Sequence, residues 1–203
     1  VLRLRIGESV VLCDGKGQEI EGEITFLDKK RVAVTIHKRY TSLAEPSIKL
    51  TLYLALIKRE NFELAVQKAV EVGVSEVVPL ITQRTVKQTL NLERIRSISR
   101  EAAEQSGRGI APFIHEPLSF ESACQKNAKS HEQVFFFDLD TPLFDRSCYV
   151  LRDTCHMFIG PEGGWTDTER TIAKSQGFAT VGLGPRILRA ETAAIVASYV
   201  LSK

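Results

Sequence analysis

The chain has 203 residues, 43% of them hydrophobic and 26% charged, with a formal net charge of +2. That balance belongs to a globular chain with a real core and excludes intrinsic disorder, while so small a net charge names no polyanionic partner by itself. No apolar run reaches the roughly 18 residues of a membrane span, no signal-peptide pattern opens the chain, and Cys13, Cys124, Cys148 and Cys155 form no C-x-x-C pair. Reduced, mostly buried thiols are therefore expected, in a cytoplasmic protein with no metal site and no membrane contact.

In chain order, Ser9–Leu12, Glu19–Phe26 and Arg31–Lys38 alternate or run β-branched, separated by the turn sequences Asp14-Gly15-Lys16-Gly17 and Asp28-Lys29-Lys30. They predict a small antiparallel sheet or barrel over residues 1–46, a module that elsewhere binds RNA or serves only as packing. A polar linker, Tyr40–Ser47, contains Pro46, and the pattern then becomes alternating strand and helix over residues 47–203. Leu50–Ile57 reads as a strand covered on both faces. Phe62, Ala65, Val66, Ala69 and Val70 form one helical stripe that Gly73 ends. A strand at Glu76–Ile81 and a helix at Leu92–Gln105 follow.

Ser119–Lys129 is a short helical candidate, and Gln133–Phe137 a strand ending on Asp138 and Asp140. From there to about Asp153 no period assigns a structure. His156–Ile159 is a strand, Thr166-Asp167-Thr168-Glu169 a capping box opening a helix that stops at Gly177, Ala179–Leu183 the last strand, and Glu191–Leu201 the last helix, with Val196, Val200 and Leu201 on its apolar side. This βαβα order predicts an α/β domain with a mostly parallel sheet.

Charge is unevenly placed. Between Arg84 and Arg108 there are six basic residues, Arg84, Lys87, Arg94, Arg96, Arg100 and Arg108, against the acids Glu93, Glu101 and Glu104. Such a run is either a solvated helix face or a phosphate-contacting surface.

Two loops stand out, Ile159-Gly160-Pro161-Glu162-Gly163-Gly164-Trp165 and Leu183–Ala193. Each follows a strand and precedes a helix, where ligands of open parallel sheets bind, and each carries glycines that let a ligand approach the backbone, Gly160, Gly164 and Gly184 above all. Neither the P-loop nor the dinucleotide fingerprint is present, which disfavours NTPases and dinucleotide dehydrogenases.

Gly160-Pro161-Glu162-Gly163-Gly164, Leu183-Gly184 with Ile187-Leu188-Arg189 and Glu191-Thr192-Ala193, and Glu101–Ser106 with Arg108 resemble the bacterial 16S ribosomal RNA uracil-N3 methyltransferases. Lys68-Ala69 with Glu71–Val74, and Val1-Leu2-Arg3 with Gly7 and Asp14–Gly17, fit the same family, so the likeness runs along nearly the whole chain. It departs at Trp165 and Ala190, where that family commonly has Phe and Thr, and the family carries about twenty residues before the position of Val1, so a barrel shortened at its N-terminus is expected here.

The resemblance implies a SPOUT-type α/β fold with a C-terminal trefoil knot, a PUA-like barrel, S-adenosylmethionine as methyl donor, and a homodimer acting on 16S rRNA or the assembled small subunit. For methylation of uracil N3 the catalytic candidates are Arg189, Glu191 and Glu162. Arg189 is the candidate stabiliser of the imide anion left when uracil N3 loses its proton, since a guanidinium stays charged and donates through a rigid fork; its alternative is an ion pair with Glu191 or Glu162. Either carboxylate is a candidate base. Implied apolar walls of the donor site are Leu56, Ile159, Leu183, Ile187 and Leu188; Gly160, Gly163, Gly164, Gly184, Thr192 and Ala193 complete it. RNA would lie across Arg3, Arg5, Lys58, Arg59, Arg84, Arg100 and Arg108. A SPOUT enzyme for another RNA or position, or a non-catalytic RNA-binding relative, remains the alternative.

Overall fold

A computed structural model describes residues 4–42, 44–85, 89–128, 132–139 and 141–203. Val1–Arg3, Lys87 and Asp140 fall outside the described residues. The chain divides into two units, Val1–Glu45 with Ala103–Ala111, and Pro46–Ala102 with Pro112–Lys203.

In the smaller unit, β1 (Ser9–Cys13), β2 (Gln18–Leu27) and β3 (Val32–Thr41) form an antiparallel sheet in the order β1-β2-β3. Short aspartates make its turns: Asp14 Oδ1 accepts the N–H groups of Lys16 and Gln18 at 2.7 and 3.1 Å, and Asp28 Oδ1 those of Lys30 and Arg31 at 2.6 and 2.7 Å. Ala103–Ala111 joins this unit through an antiparallel bridge between Lys16 and Ile110, and through the Gly17 N–H donating to Gly109 O at 3.0 Å. Arg108 is buried there. Its Nη2 lies 2.7 Å from Glu45 Oε2, while Glu45 Oε1 accepts the Ile110 N–H at 3.0 Å, so this arginine fastens a segment and is not one of the surface cations proposed to meet RNA.

The larger unit is built on a seven-stranded sheet whose pairings are all parallel. Its strands are β4 (Lys49–Ala55), β5 (Glu76–Ile81), β6 (Phe113–Ile114), β7 (Leu118–Ser119), β8 (Gln133–Phe137), β9 (Thr154–Ile159) and β10 (Ala179–Val181). The order is β10-β8-β9-β4-β5-β6, with β7 also on β5. Among the described residues the α-helices that accompany it are α1 (Arg59–Glu71), α2 (Leu92–Gln105), α3 (Phe120–Ala128), α4 (Asp167–Ser175) and α5 (Ala190–Ser202). The last residues of α2 belong to the smaller unit.

Side chains alternate across the sheet. Tyr53, Val78, Phe136 and Phe158 share a buried cluster with Phe120 of α3 and with Trp165, Ala173 and Phe178 of the α4 region. Met157, one residue before Phe158, lies 3.8 Å by its sulfur from Ser198 Oγ of α5, which packs on α1, β4 and β9. The stripe Phe62, Ala65, Val66, Ala69 and Val70 is buried as the period requires. Gly73 ends α1 for two reasons, a φ of +111° and a Cβ position only 2.5 Å from Pro46 Cγ. On α5 the buried face is made by Ala190, Ala194, Ala197, Ser198 and Leu201, with Val196 and Val200 at its margin, because close packing on α1 favours small side chains.

Among the described residues no helix is long and apolar enough to cross a membrane. The thiols divide evenly instead of being mostly buried: Cys124 and Cys155 are buried, Cys13 and Cys148 exposed. Burial pushes the Cys124 thiol up to about 12. A thiol reagent at neutral pH is therefore expected to label Cys13 and Cys148 in the native protein and to reach Cys124 and Cys155 only after denaturant is added, as peptide mass mapping would read.

Candidate active site

The carboxyl ends of β8, β9 and β10 are neighbours in the sheet, and the segments leaving them enclose a pocket of about 530 Å³. Its walls come from Phe137–Leu139 and Thr141 after β8, Ile159–Trp165 after β9, and Gly182–Gly184 with Arg186–Ala190 after β10. Arg84 after β5, with Arg170 and Ala193 on α4 and α5, completes it. The segment after β8 was unassigned from the sequence. It is tied to the segment after β10 by the Gly182 N–H donating to Pro142 O and the Phe144 N–H donating to Gly182 O, both at 2.8 Å.

The loop Gly160–Trp165 owes its shape to three glycines acting in three ways. A Cβ on Gly160 would fall 2.9 Å from Trp165 Cε2, one on Gly163 would fall 3.3 Å from Arg84 Cδ, and Gly164 has open space but a φ of +68°. The sequence argument that these glycines clear room for a ligand is thus incomplete, since at Gly160 and Gly163 the space is filled by the protein's own side chains. Trp165 is buried, with its ring centroid 4.6 Å from that of Phe136, 5.2 Å from that of Phe120, and its Nε1 donating to Phe137 O at 2.9 Å.

The loop ends in the capping box expected at Thr166 and Glu169. Glu169 has no exposed surface. Its Oε2 accepts the Thr166 N–H at 2.8 Å and the Thr166 hydroxyl at 3.0 Å, and its Oε1 accepts the Gln83 N–H at 3.0 Å from the turn after β5. In that turn Arg84 Nη1 donates to Gly163 O, and Trp165 O lies 3.4 Å from the same nitrogen. Arg84 therefore belongs to the pocket, and its charge is directed at backbone carbonyls.

Most of the proposed donor residues come together. Ile159, Gly160, Gly163, Gly164, Leu183, Gly184, Leu188 and Ala193 line the pocket, and Ile187 does so from its rim, 82% exposed. Leu56 and Thr192 do not line it: Leu56 is buried with its N–H on Leu80 O, and Thr192 is exposed on α5. Of the three catalytic candidates, Arg189 and Glu162 line the pocket and Glu191 does not. Glu191 is buried on α5, and among the described residues its Oε2 has no hydrogen-bond partner. Glu162 Oε1 accepts the Lys58 N–H at 3.3 Å. The sequence missed Phe137, Asp138, Arg170 and Gly182; for the first two the only signal was the acidic end of the strand at Gln133–Phe137.

Charge at the pocket is sorted by pairing. Arg170 holds Asp138 through Nε at 2.6 Å and Nη2 at 3.2 Å, and Asp167 through Nη1 at 3.1 Å. Among the described residues the side chains of Arg186 and Arg189 have no such partner, so the ion pair weighed for Arg189 is not formed. Two members of the basic run before Gly109 are paired with acids: Arg94 meets Glu63, and Arg96 meets Glu93 and Glu116. Arg5, Lys58, Arg59 and Arg100 are exposed, with Arg59 paired to Glu63.

The chain matches the RNA methyltransferase domain family over residues 44–202 and the RNA methyltransferase PUA domain family over residues 1–36. It is 31% identical to the ribosomal RNA small subunit methyltransferase E of Rickettsia conorii, over 97% of this chain and 81% of the relative. To the protein of the same name from Synechocystis it is 35% identical, over 97% of this chain and 66% of that one. The crystal structure of the ribosomal RNA small subunit methyltransferase E from Neisseria gonorrhoeae, bound to S-adenosyl methionine, superposes with a TM-score of 0.91 at 30% identity, over 98% of this chain and 84% of that chain.

Gly160→Ala is expected to destabilise the fold by about 1–3 kcal/mol, because Trp165 is held by its rings and its Nε1 bond and has no room to yield; urea unfolding followed by Trp165 fluorescence measures it.

Proposed function

Since the chain belongs to the RNA methyltransferase family, matched over residues 44–202, we propose that it methylates N3 of one uridine in the 16S ribosomal RNA of the small subunit, with S-adenosylmethionine as donor. The observation that carries the reading is the pocket at the ends of β8, β9 and β10, with its glycine loop, its apolar wall and two uncommitted guanidinium groups, Arg186 and Arg189, at one site.

The residues present suit such a donor. The pocket's volume of about 530 Å³ falls in the range of small-molecule sites, about 300–1,000 Å³. Ile159, Leu183 and Leu188 offer apolar surface for adenine. Among the described residues the N–H groups of Glu162, Gly163 and Trp165 have no protein acceptor, which leaves donors for polar atoms of a ligand. When bound, the donor supplies an activated methyl group on a sulfonium, whose departure as a neutral thioether needs alignment more than proton assistance.

The demand on the protein is at the acceptor. Uracil N3 carries an imide proton, and its loss spreads negative charge onto O2 and O4. Arg189 is exposed, lines the pocket and forms no ion pair among the described residues, which supports its guanidinium facing that charge. Glu162 lines the pocket from the loop after β9 and is the carboxylate we assign to take the proton; Glu191, buried off the pocket, has no part in that step. Arg5, Lys58, Arg59 and Arg100 are the exposed cations left to meet phosphate, which makes binding salt-dependent. The target base has to be unstacked to enter.

Two finer readings go with this. Gly182, hydrogen-bonded to Pro142 and Phe144, supports taking the crossing of these segments as the trefoil knot. The 82% exposed Ile187 on the pocket rim supports a homodimer in which a second copy covers it, and a solution mass equal to one chain at micromolar concentration would remove that reading.

Labelled S-adenosylmethionine incubated with small subunits lacking the modification is expected to give N3-methyluridine in 16S rRNA, read by nucleoside mapping. Label confined to a ribose 2′-oxygen or to transfer RNA overturns the assignment. In the same assay Arg189→Ala should lower turnover by about a hundredfold or more, on the scale of losing one anion-stabilising donor, while donor binding stays within a few-fold.

A further inference from the structure

We infer that Arg84 is a positioning residue for the methyl donor, acting through the backbone of Gly163 and Trp165, and that Gly163 lacks a side chain so that Arg84 can lie across the loop. The inference rests on the reading of the pocket as the donor site. It changes the place of Arg84 from an RNA contact to a part of the loop's scaffold.

The argument follows the peptide units. The unit joining Gly163 to Gly164 has its carbonyl on Arg84 Nη1 and its N–H on Pro161 O at 2.8 Å. The unit joining Trp165 to Thr166 has its carbonyl 3.4 Å from the same nitrogen and its N–H on Glu169 Oε2 at 2.8 Å. Both planes are fixed at each end. The units between and before them keep the N–H groups of Trp165 and Gly163 without protein acceptors among the described residues, so the orientation of these free donors is set by neighbours that Arg84 holds.

A second observation points the same way. Gly163, unlike Gly164, is not among the positive-φ glycines, so its backbone conformation does not call for glycine. What a Cβ would meet is Arg84 alone, at 3.3 Å from Cδ, 3.6 Å from Cβ and 4.0 Å from Cγ. The turn carrying Arg84 is itself hydrogen-bonded on both sides of Arg84. Thr82 N–H donates to Thr85 Oγ1 at 2.9 Å, the two threonine hydroxyls are 2.8 Å apart, and Gln83 N–H is bonded to the buried Glu169. A cation on such a base directs carbonyls more firmly than one on a mobile loop.

The test is a double-mutant cycle of Arg84→Ala and Gly163→Ala, read by calorimetric titration with S-adenosylmethionine and by steady-state kinetics on small subunits. Arg84→Ala is expected to weaken donor binding about tenfold or more and to raise the donor KM in step, with kcat at saturating donor within about twofold. Gly163→Ala should weaken binding in the wild-type background and add less than about twofold in the Arg84→Ala background. Guanidinium ion added to Arg84→Ala should restore part of the affinity. Independent, multiplying losses would overturn the pairing of the two residues, and unchanged donor affinity with a fallen kcat or a weakened RNA interaction would overturn the positioning role. If Arg84→Ala does not fold, Gly163→Ala with intact Arg84 and Arg84→Lys, expected to bind at an intermediate level, carry the same comparison. Failure of the wild-type protein to bind S-adenosylmethionine would reject the proposed function itself, an outcome separate from a wild type that binds and an Arg84→Ala variant that binds equally well.

Discussion

The pocket depends on a carboxylate that never meets water. Glu169 sits in the first turn of α4 with no exposed surface, and it is tolerable there because its oxygens accept from the Thr166 N–H, the Thr166 hydroxyl and the Gln83 N–H. An unpaired buried carboxylate is strongly unfavourable, whereas each hydrogen bond to a charged group contributes on the order of 1.5–3 kcal/mol. That balance holds only while the end of the Gly160–Trp165 loop and the turn after β5 stay where they are. The carboxylate thereby ties a helix cap to a strand end 86 residues earlier in the chain. Trp165, buried one residue before the cap, fixes the other side of the same joint by its bond to Phe137 O at the end of β8.

The charged groups of the site read differently once this frame is in place. From the sequence, the run from Arg84 to Arg108 is either a solvated helix face or a phosphate-contacting surface. In the structure its members do separate work: Arg84 holds carbonyls, Arg94 pairs with Glu63 of α1, Arg96 pairs with Glu93 of its own helix and with Glu116, and Arg108 is buried against Glu45. Net charge along a sequence cannot distinguish these cases, because Glu45, Glu63 and the Gly163 carbonyl lie far away in the chain. The guanidiniums left uncommitted at the pocket, Arg186 and Arg189, were visible only through the loop that carries them.

How much of this was legible follows from where periodic signals exist. The bounds of β5, α2 and β8 agree with those read from continuous apolar runs and a clean helical stripe, and the capping box at Thr166 announced α4. β6 and β7, two residues each, are too short to show a period, and nothing local marks Ala103–Ala111 as part of the smaller unit because helical spacing continues through its first residues. Two walls of the pocket were readable as glycine-bearing loops. The third, Phe137 to Thr141, was not, since its role comes from lying beside Gly182 and not from any pattern of its own. Leu56 and Thr192 were misplaced because adjacency in sequence to a wall does not decide which way a side chain turns.

The strand order has a consequence for the making of the protein. β4 is flanked by β5, which follows it directly, and by β9, which begins almost a hundred residues later at Thr154. β4 therefore leaves the ribosome well before β9, its partner on one edge, has been made. An apolar strand edge left open for that long is the kind of surface chaperones shield and aggregates recruit. The same order means that a nascent chain exposes Arg5, Lys58 and Arg59 long before Ala193 emerges to complete the pocket. Contact with polyanions is available to the chain from the start, and the small-molecule site is the last thing it acquires.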